Sequence, residues 1–231
     1  AQRFFFTKNR EVINRNNVQL SFINYLRPKL YFKLTDYTLR GTWETEFASN
    51  AKITANVFNQ YILLTNDFDP TRTDGGTPLP GNESYRFSYT NIEFTSNNTK
   101  LFSYGLNTTI GQFFNGNRYS VGGTLGYRWQ PWGQFSLNVN YDGIKLPEPY
   151  ESENYWLITP RMDVTLNKSL FFNTLIQYSN QRENFGINAR LQWRFAPLSD
   201  LFLVYNDNYN STEFTPRFRS INLKMTYWLN L

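Results

Sequence analysis

From Ser220 to Leu231 the chain alternates with a period of two. Ile221, Leu223, Met225, Tyr227, Leu229 and Leu231 fall on one side, and Asn222, Lys224, Thr226, Trp228 and Asn230 on the other. Successive side chains of a β-strand point to opposite faces, so this stretch predicts a strand with one apolar and one polar face. The pattern recurs. Tyr119, Val121, Gly123, Leu125, Tyr127 and Trp129 oppose Arg118, Ser120, Gly122, Thr124, Gly126 and Arg128. Phe135, Leu137, Val139 and Tyr141 oppose Gln134, Ser136, Asn138 and Asn140, and Phe185 to Phe195 oppose Asn184 to Arg194 in the same way.

Earlier in the chain, Ala1 to Lys8 reads as a short strand and Val18 to Leu26 as another, broken at Arg27-Pro28-Lys29. Leu30, Phe32 and Leu34 form a further strand ended by a Thr35-Asp36 turn, and Leu39 to Phe47 the next. Tyr85, Phe87 and Tyr89 alternate with Arg86, Ser88 and Thr90. The whole chain predicts about 14 strands of roughly 10–14 residues, against a mean near 5–6 in soluble sheets. Short turns (Ser49-Asn50, Ser96 to Thr99, Gln130 to Gly133, Asn167 to Ser169, Ala196 to Asp200) contrast with longer loops at Thr65 to Ser84, Asp142 to Asn154 and Asn206 to Arg217.

That organisation predicts an all-β, antiparallel transmembrane outer-membrane β-barrel over residues 1–231, or the C-terminal portion of a longer one. An even strand count puts both termini on the periplasmic side. Trp129, Trp132, Trp193, Phe195, Tyr227 and Trp228 then lie near the periplasmic strand ends, where membrane-interface aromatics belong. The opening AQRFFFTK is already strand-like and shows no signal peptide. Either a signal has been removed or the chain is the C-terminal part of a longer polypeptide.

Composition agrees. Mean hydropathy is −0.54, as for a soluble protein, but alternating faces cancel in such an average. The chain holds 21 Phe, 16 Tyr and 6 Trp, 19% of its residues, more than a soluble core needs. Without cysteine or histidine it has no thiolate metal site, no Cys nucleophile and no Ser-His machinery. We therefore expect no enzyme activity, no metal and no cofactor. The formal net charge of +5 is spread along the chain, which argues against nucleic acid. It suits anionic lipopolysaccharide or anionic ligands.

Arg118, Arg128, Arg161, Arg190, Arg194 and Lys224 occupy the polar faces of their strands with Glu93, Asp142 and Asp163. They read either as cross-strand pairs that hold a lumen rigid or as a charged constriction that selects solutes. Asp67, Asp69 and Asp74-Gly75 resemble a cation loop, but Arg72 stands where a calcium loop needs glycine. Glu148, Glu151 and Glu153 read as an acidic external loop rather than a fixed carboxylate pair. Phe68, Tyr150, Tyr209 and Phe214 could stack on sugar rings or pack their loops.

The stretch NARLQWRFAPLSDLFLVYN at Asn188 to Asn206, with LFFNTLIQYSNQ at Leu170 to Gln181 and Tyr85-Arg86-Phe87 upstream, resembles a family of large outer-membrane proteins frequent in the Bacteroidetes. Its members carry an N-terminal domain similar to family 9 carbohydrate-binding modules, followed by a long C-terminal region without assigned function. The resemblance spans roughly Tyr61 to Leu231 and is specific in the Leu170 to Asn206 hairpins. It implies a barrel at the cell surface and supplies no catalytic residues. The expected role is non-enzymatic: a pore, or a platform for extracellular polymers, with a glycan ligand implied by the resemblance alone. The alternative is an accessory subunit of a larger envelope complex with a plugged lumen. Expected partners are outer-membrane lipid, lipopolysaccharide and envelope proteins.

Overall fold

A computed structural model describes residues 2–6, 11–28 and 33–229. The strands are β1 (Gln2–Phe6), β2 (Ile13–Arg27), β3 (Lys33–Phe47), β4 (Lys52–Leu63), β5 (Ser84–Thr95), β6 (Phe102–Phe113) and β7 (Gly116–Trp129). They continue with β8 (Gly133–Lys145), β9 (Glu153–Thr165), β10 (Leu170–Ser179), β11 (Asn184–Ala196), β12 (Ser199–Asn210) and β13 (Pro216–Thr226). They join in chain order into one 13-stranded antiparallel sheet, with β1 and β13 at the two ends of that order.

Among the described residues the sheet has thirteen strands rather than about 14. Thr35-Asp36, expected to turn, lies inside β3, where Asp36 pairs with Tyr25 and Leu34 with Leu26 across a register shift. Thr35 is fully buried and its hydroxyl donates to the Tyr25 carbonyl at 3.3 Å. A bulge takes up the extra residue without reversing the chain. The predicted break at Lys29 and the positions Leu30 and Phe32 lie outside the described residues, as do Ala1, Thr7, Lys8, Asn230 and Leu231.

Two expected loops are shorter than their composition suggested. Strand β8 runs on to Lys145, and β12 continues through Asn206, Asp207, Asn208 and Tyr209. Polar residues there satisfy the ladder as well as apolar ones, because the ladder is made of backbone groups. Residues 64–83 remain the longest connection, as expected.

The chain forms two compact units. One contains Ala1–Asn97, Gly105–Gly122 and Tyr141–Asn154; the other contains Asn98–Tyr104, Gly123–Asn140 and Tyr155–Leu231. Among the described residues the buried apolar side chains, Leu63, Leu79, Phe87, Ile144 and Leu146, all belong to the first. They lie in the residue 64–83 loop, the residue 146–152 connection and the strand ends that carry them. Among the described residues of the second unit the buried side chains are polar: Ser179, Ser199 and Asp207. Large apolar side chains are mostly exposed. In the first unit Val18, Trp43 and Ile92 share one cross-strand row and Leu20, Val57 and Ile110 the next. In the second, Val164, Phe172, Leu191, Leu203 and Leu223 form one row across five strands, and Leu223 is 69% exposed.

Candidate functional site

The opposite, polar face of the first unit holds a row of side chains that hydrogen-bond from strand to strand. The Thr42 hydroxyl donates to Asn56 at 2.7 Å, Asn56 Nδ2 to Asn91 at 3.3 Å, and Asn91 Nδ2 to the Thr109 hydroxyl at 3.1 Å. These four residues stand directly opposite one another on β3 to β6. One row further along, Phe58 faces Tyr89, their rings stacked with centroids 4.7 Å apart. Tyr89 in turn faces Gly111, where a Cβ would come within 2.5 Å of the Tyr89 backbone. Glycine, with φ +153°, is what allows that approach.

Period-two alternation does not say which face looks where. Tyr85, Phe87 and Tyr89 share the face of Asn91 and Glu93, whereas Ser88 and Thr90 share that of the exposed Ile92. Phe87 is 2% exposed and packs against Phe113 and Phe114. Phe68, from the long loop, meets the Phe114 ring at 5.5 Å. The sequence places these rings far apart; the hairpin pairing of β4 to β6 brings them together.

Phe58, Gln60, Phe87, Tyr89, Asn91, Gln112, Phe113 and Arg118 line a cleft of about 370 Å³. Its volume is at the low end for small-molecule sites. The Arg118 guanidinium sits 5.5 Å over Phe113 and donates to Asp142 at 2.7 Å and to Ser120 at 3.2 Å. Aromatic faces beside amides and one fixed cation suit a polar ligand with apolar patches.

The residue 64–83 loop is ordered by its acids. Asp69 accepts the Thr71 and Thr73 amides, each at 2.8 Å, and the Thr71 hydroxyl at 2.6 Å. Burial pushes this carboxyl up, but the Thr71 hydroxyl and the loop amides outweigh it and hold it below its ordinary value. Asp67 accepts the Gly81 amide at 2.7 Å and Glu151 the Thr77 amide at 2.8 Å. Among the described residues no group of three acidic side chains is placed to hold a metal ion. Glu148, Glu151 and Glu153 do not converge as a group: Glu151 ties residues 146–152 to the long loop.

In the second unit Asp163 gathers Arg161 Nε at 3.0 Å, Gln134 at 3.0 Å and Asn173 at 2.6 Å. Asn173 accepts Arg190 Nη2 at 3.1 Å. Arg194 pairs with Asp200 at 3.3 Å. Arg128 reaches the Lys100 carbonyl at 3.4 Å, and Lys224 has no ion pair among the described residues. Arg118, Arg161, Arg190 and Arg194 therefore sit in short local networks. Trp132, Trp193, Tyr227 and Trp228 are exposed; Trp129 stacks on Tyr127, and Phe195 on Tyr227. Tyr209 bonds Asp207 at 2.8 Å, while Phe214 stands 71% exposed.

No family model, curated protein or solved structure matches this chain.

Proposed function

We propose that this chain is a membrane-spanning part of a bacterial outer-membrane β-barrel with a non-enzymatic surface role, either a pore or a platform for extracellular polymers. The observation behind this reading is the inversion of polarity: large apolar side chains lie exposed in cross-strand rows, and the opposite face is hydrogen-bonded and polar. Water disfavours that arrangement, whereas hydrocarbon on the apolar side favours it.

The second unit adds a scale. On its apolar face Tyr178, Phe185 and Tyr209 form one row, and Phe195 and Tyr227 stack near the other end. From Phe185 to Phe195 is about ten residues, or about 33 Å of strand. At a tilt of roughly 40° that spans a band near 25 Å, the height of an outer-membrane barrel's apolar girdle. A glycan ligand draws support from the aromatic and amide lining of the cleft and from the family resemblance.

The test is reconstitution of the purified chain with lipid vesicles. The expected result is detergent-resistant incorporation, with far-ultraviolet circular dichroism showing β-structure. A protein that stays monodisperse in water without detergent overturns the reading. Single-channel conductance then separates a pore from the runner-up, an accessory subunit with a plugged lumen.

A further inference from the structure

The charges on the apolar face of the second unit are out of place for a lipid-facing surface. Asp207 on β12 and Arg219 on β13 face each other between the Tyr178–Phe185–Tyr209 row and the apolar row of Tyr205 and Ile221. Asp207 is 3% exposed and saturated: Tyr205 and Tyr209 donate their hydroxyls, the latter at 2.8 Å, and Arg219 donates Nε at 2.9 Å. Arg219 also bonds the Tyr209 hydroxyl, yet its side chain stays 56% exposed. Beside it a register shift at Asn208/Tyr209 leaves Arg217 as the extra residue of β13. Arg217 Nη1 donates to the Arg182 carbonyl at 3.2 Å and its Nη2 lies 3.9 Å from Glu183, itself engaged by Asn210 at 3.3 Å. Two arginines, 217 and 219, thus meet two carboxylates, both already committed.

We infer that Arg217 and Arg219 bind the phosphate of a membrane lipid in the leaflet at the residue 211–215 loop end, with its acyl chains laid along Ile221 and Leu223. The inference rests on the membrane reading above. A guanidinium held by a buried carboxylate has a fixed orientation and still offers free N–H groups, the arrangement that recognises phosphate. Cations bordering an apolar band match a lipid's own order of charged head and hydrocarbon tail. Asp207 keeps Arg219 in place when no lipid is bound.

Nanodiscs of phosphatidylcholine containing a minor fraction of lipid A provide the test, with lipid A retained per protein read by native mass spectrometry. Arg217→Gln combined with Asp207→Asn and Arg219→Gln removes the site without stranding a buried charge. Lys224→Gln, on the opposite face, is the control. The expected result is a loss on the order of tenfold in retained lipid A for the triple variant and none for the control. Equal retention in protein that has incorporated overturns the lipid site alone. Failure of the unmodified chain to enter nanodiscs overturns the membrane reading and the lipid site with it.

Discussion

Glu151 accepts the backbone amide of Thr77 at 2.8 Å, joining two connections 74 residues apart in the chain. A Cβ on Gly76 would come within 3.1 Å of both Glu151 and Asp69, so the two acids close on the same short turn. Glu151→Ala is expected to weaken that tie by about 1 kcal/mol, the usual worth of such a bond. Limited proteolysis within residues 64–83 should then run several-fold faster. An unchanged cleavage rate would mean that the apolar contacts of Leu79 hold the loop without it.

The same loop should loosen in acid. The Asp69 carboxyl is held below its ordinary value of 3.8, so the folded loop favours the ionised form. Its contribution is complete above that ordinary value and declines as pH falls through the depressed one. Hydrogen exchange of the Thr71 and Thr73 amides should therefore quicken below about pH 4, after correction for intrinsic rates. Asp69→Asn should show weaker protection at neutral pH and little further change in acid.

Leu223 and Asn222 are neighbours on β13 with opposite surroundings. In a bilayer, Leu223→Arg places a charge on the apolar face and should cost about 2–4 kcal/mol if that row lies near the midplane. Asn222→Arg should cost far less. Urea unfolding in lipid vesicles measures both, and equal effects would contradict a lipid-facing assignment for Leu223.

Asp163 receives Arg161, Gln134 and Asn173. Asp163→Ala leaves three donors without their acceptor and should destabilise the chain by about 1–3 kcal/mol. Asp163→Asn keeps one acceptor oxygen and should lose less. The same urea titration ranks the two variants.

Gly111→Ala tests the aromatic row. The added methyl would meet the Tyr89 backbone at a φ that alanine rarely adopts, a strain of about 1–3 kcal/mol. The pairing of β5 with β6 should loosen there, read as faster exchange of the Tyr89 amide.

Much of this was legible along the chain. The paired faces of β7, β11 and β13, the long connection after β4 and the turns at Ser96 to Thr99 and Asn167 to Ser169 follow from local chemistry: side-chain alternation, and residues that favour turns. The Thr35-Asp36 reading failed because the same residue types that favour a turn also sit in a bulge. Only the pairing partner, here Tyr25, distinguishes the two. The loops around residues 142–154 and 206–217 were drawn too long because polar composition hides a backbone that still pairs.

The candidate site was not legible. Phe58, Tyr89 and Phe113 lie in three strands, and no local signal marks them as neighbours. Strand register brings Phe58 against Tyr89 and lets Gly111 make room, and the hairpin fold sets Arg118 over Phe113. A two-residue period is a property of the backbone and can be read from any one strand. Which residues meet across strands, and which face is left exposed, depend on pairings between distant segments, and those exist only once the chain has folded.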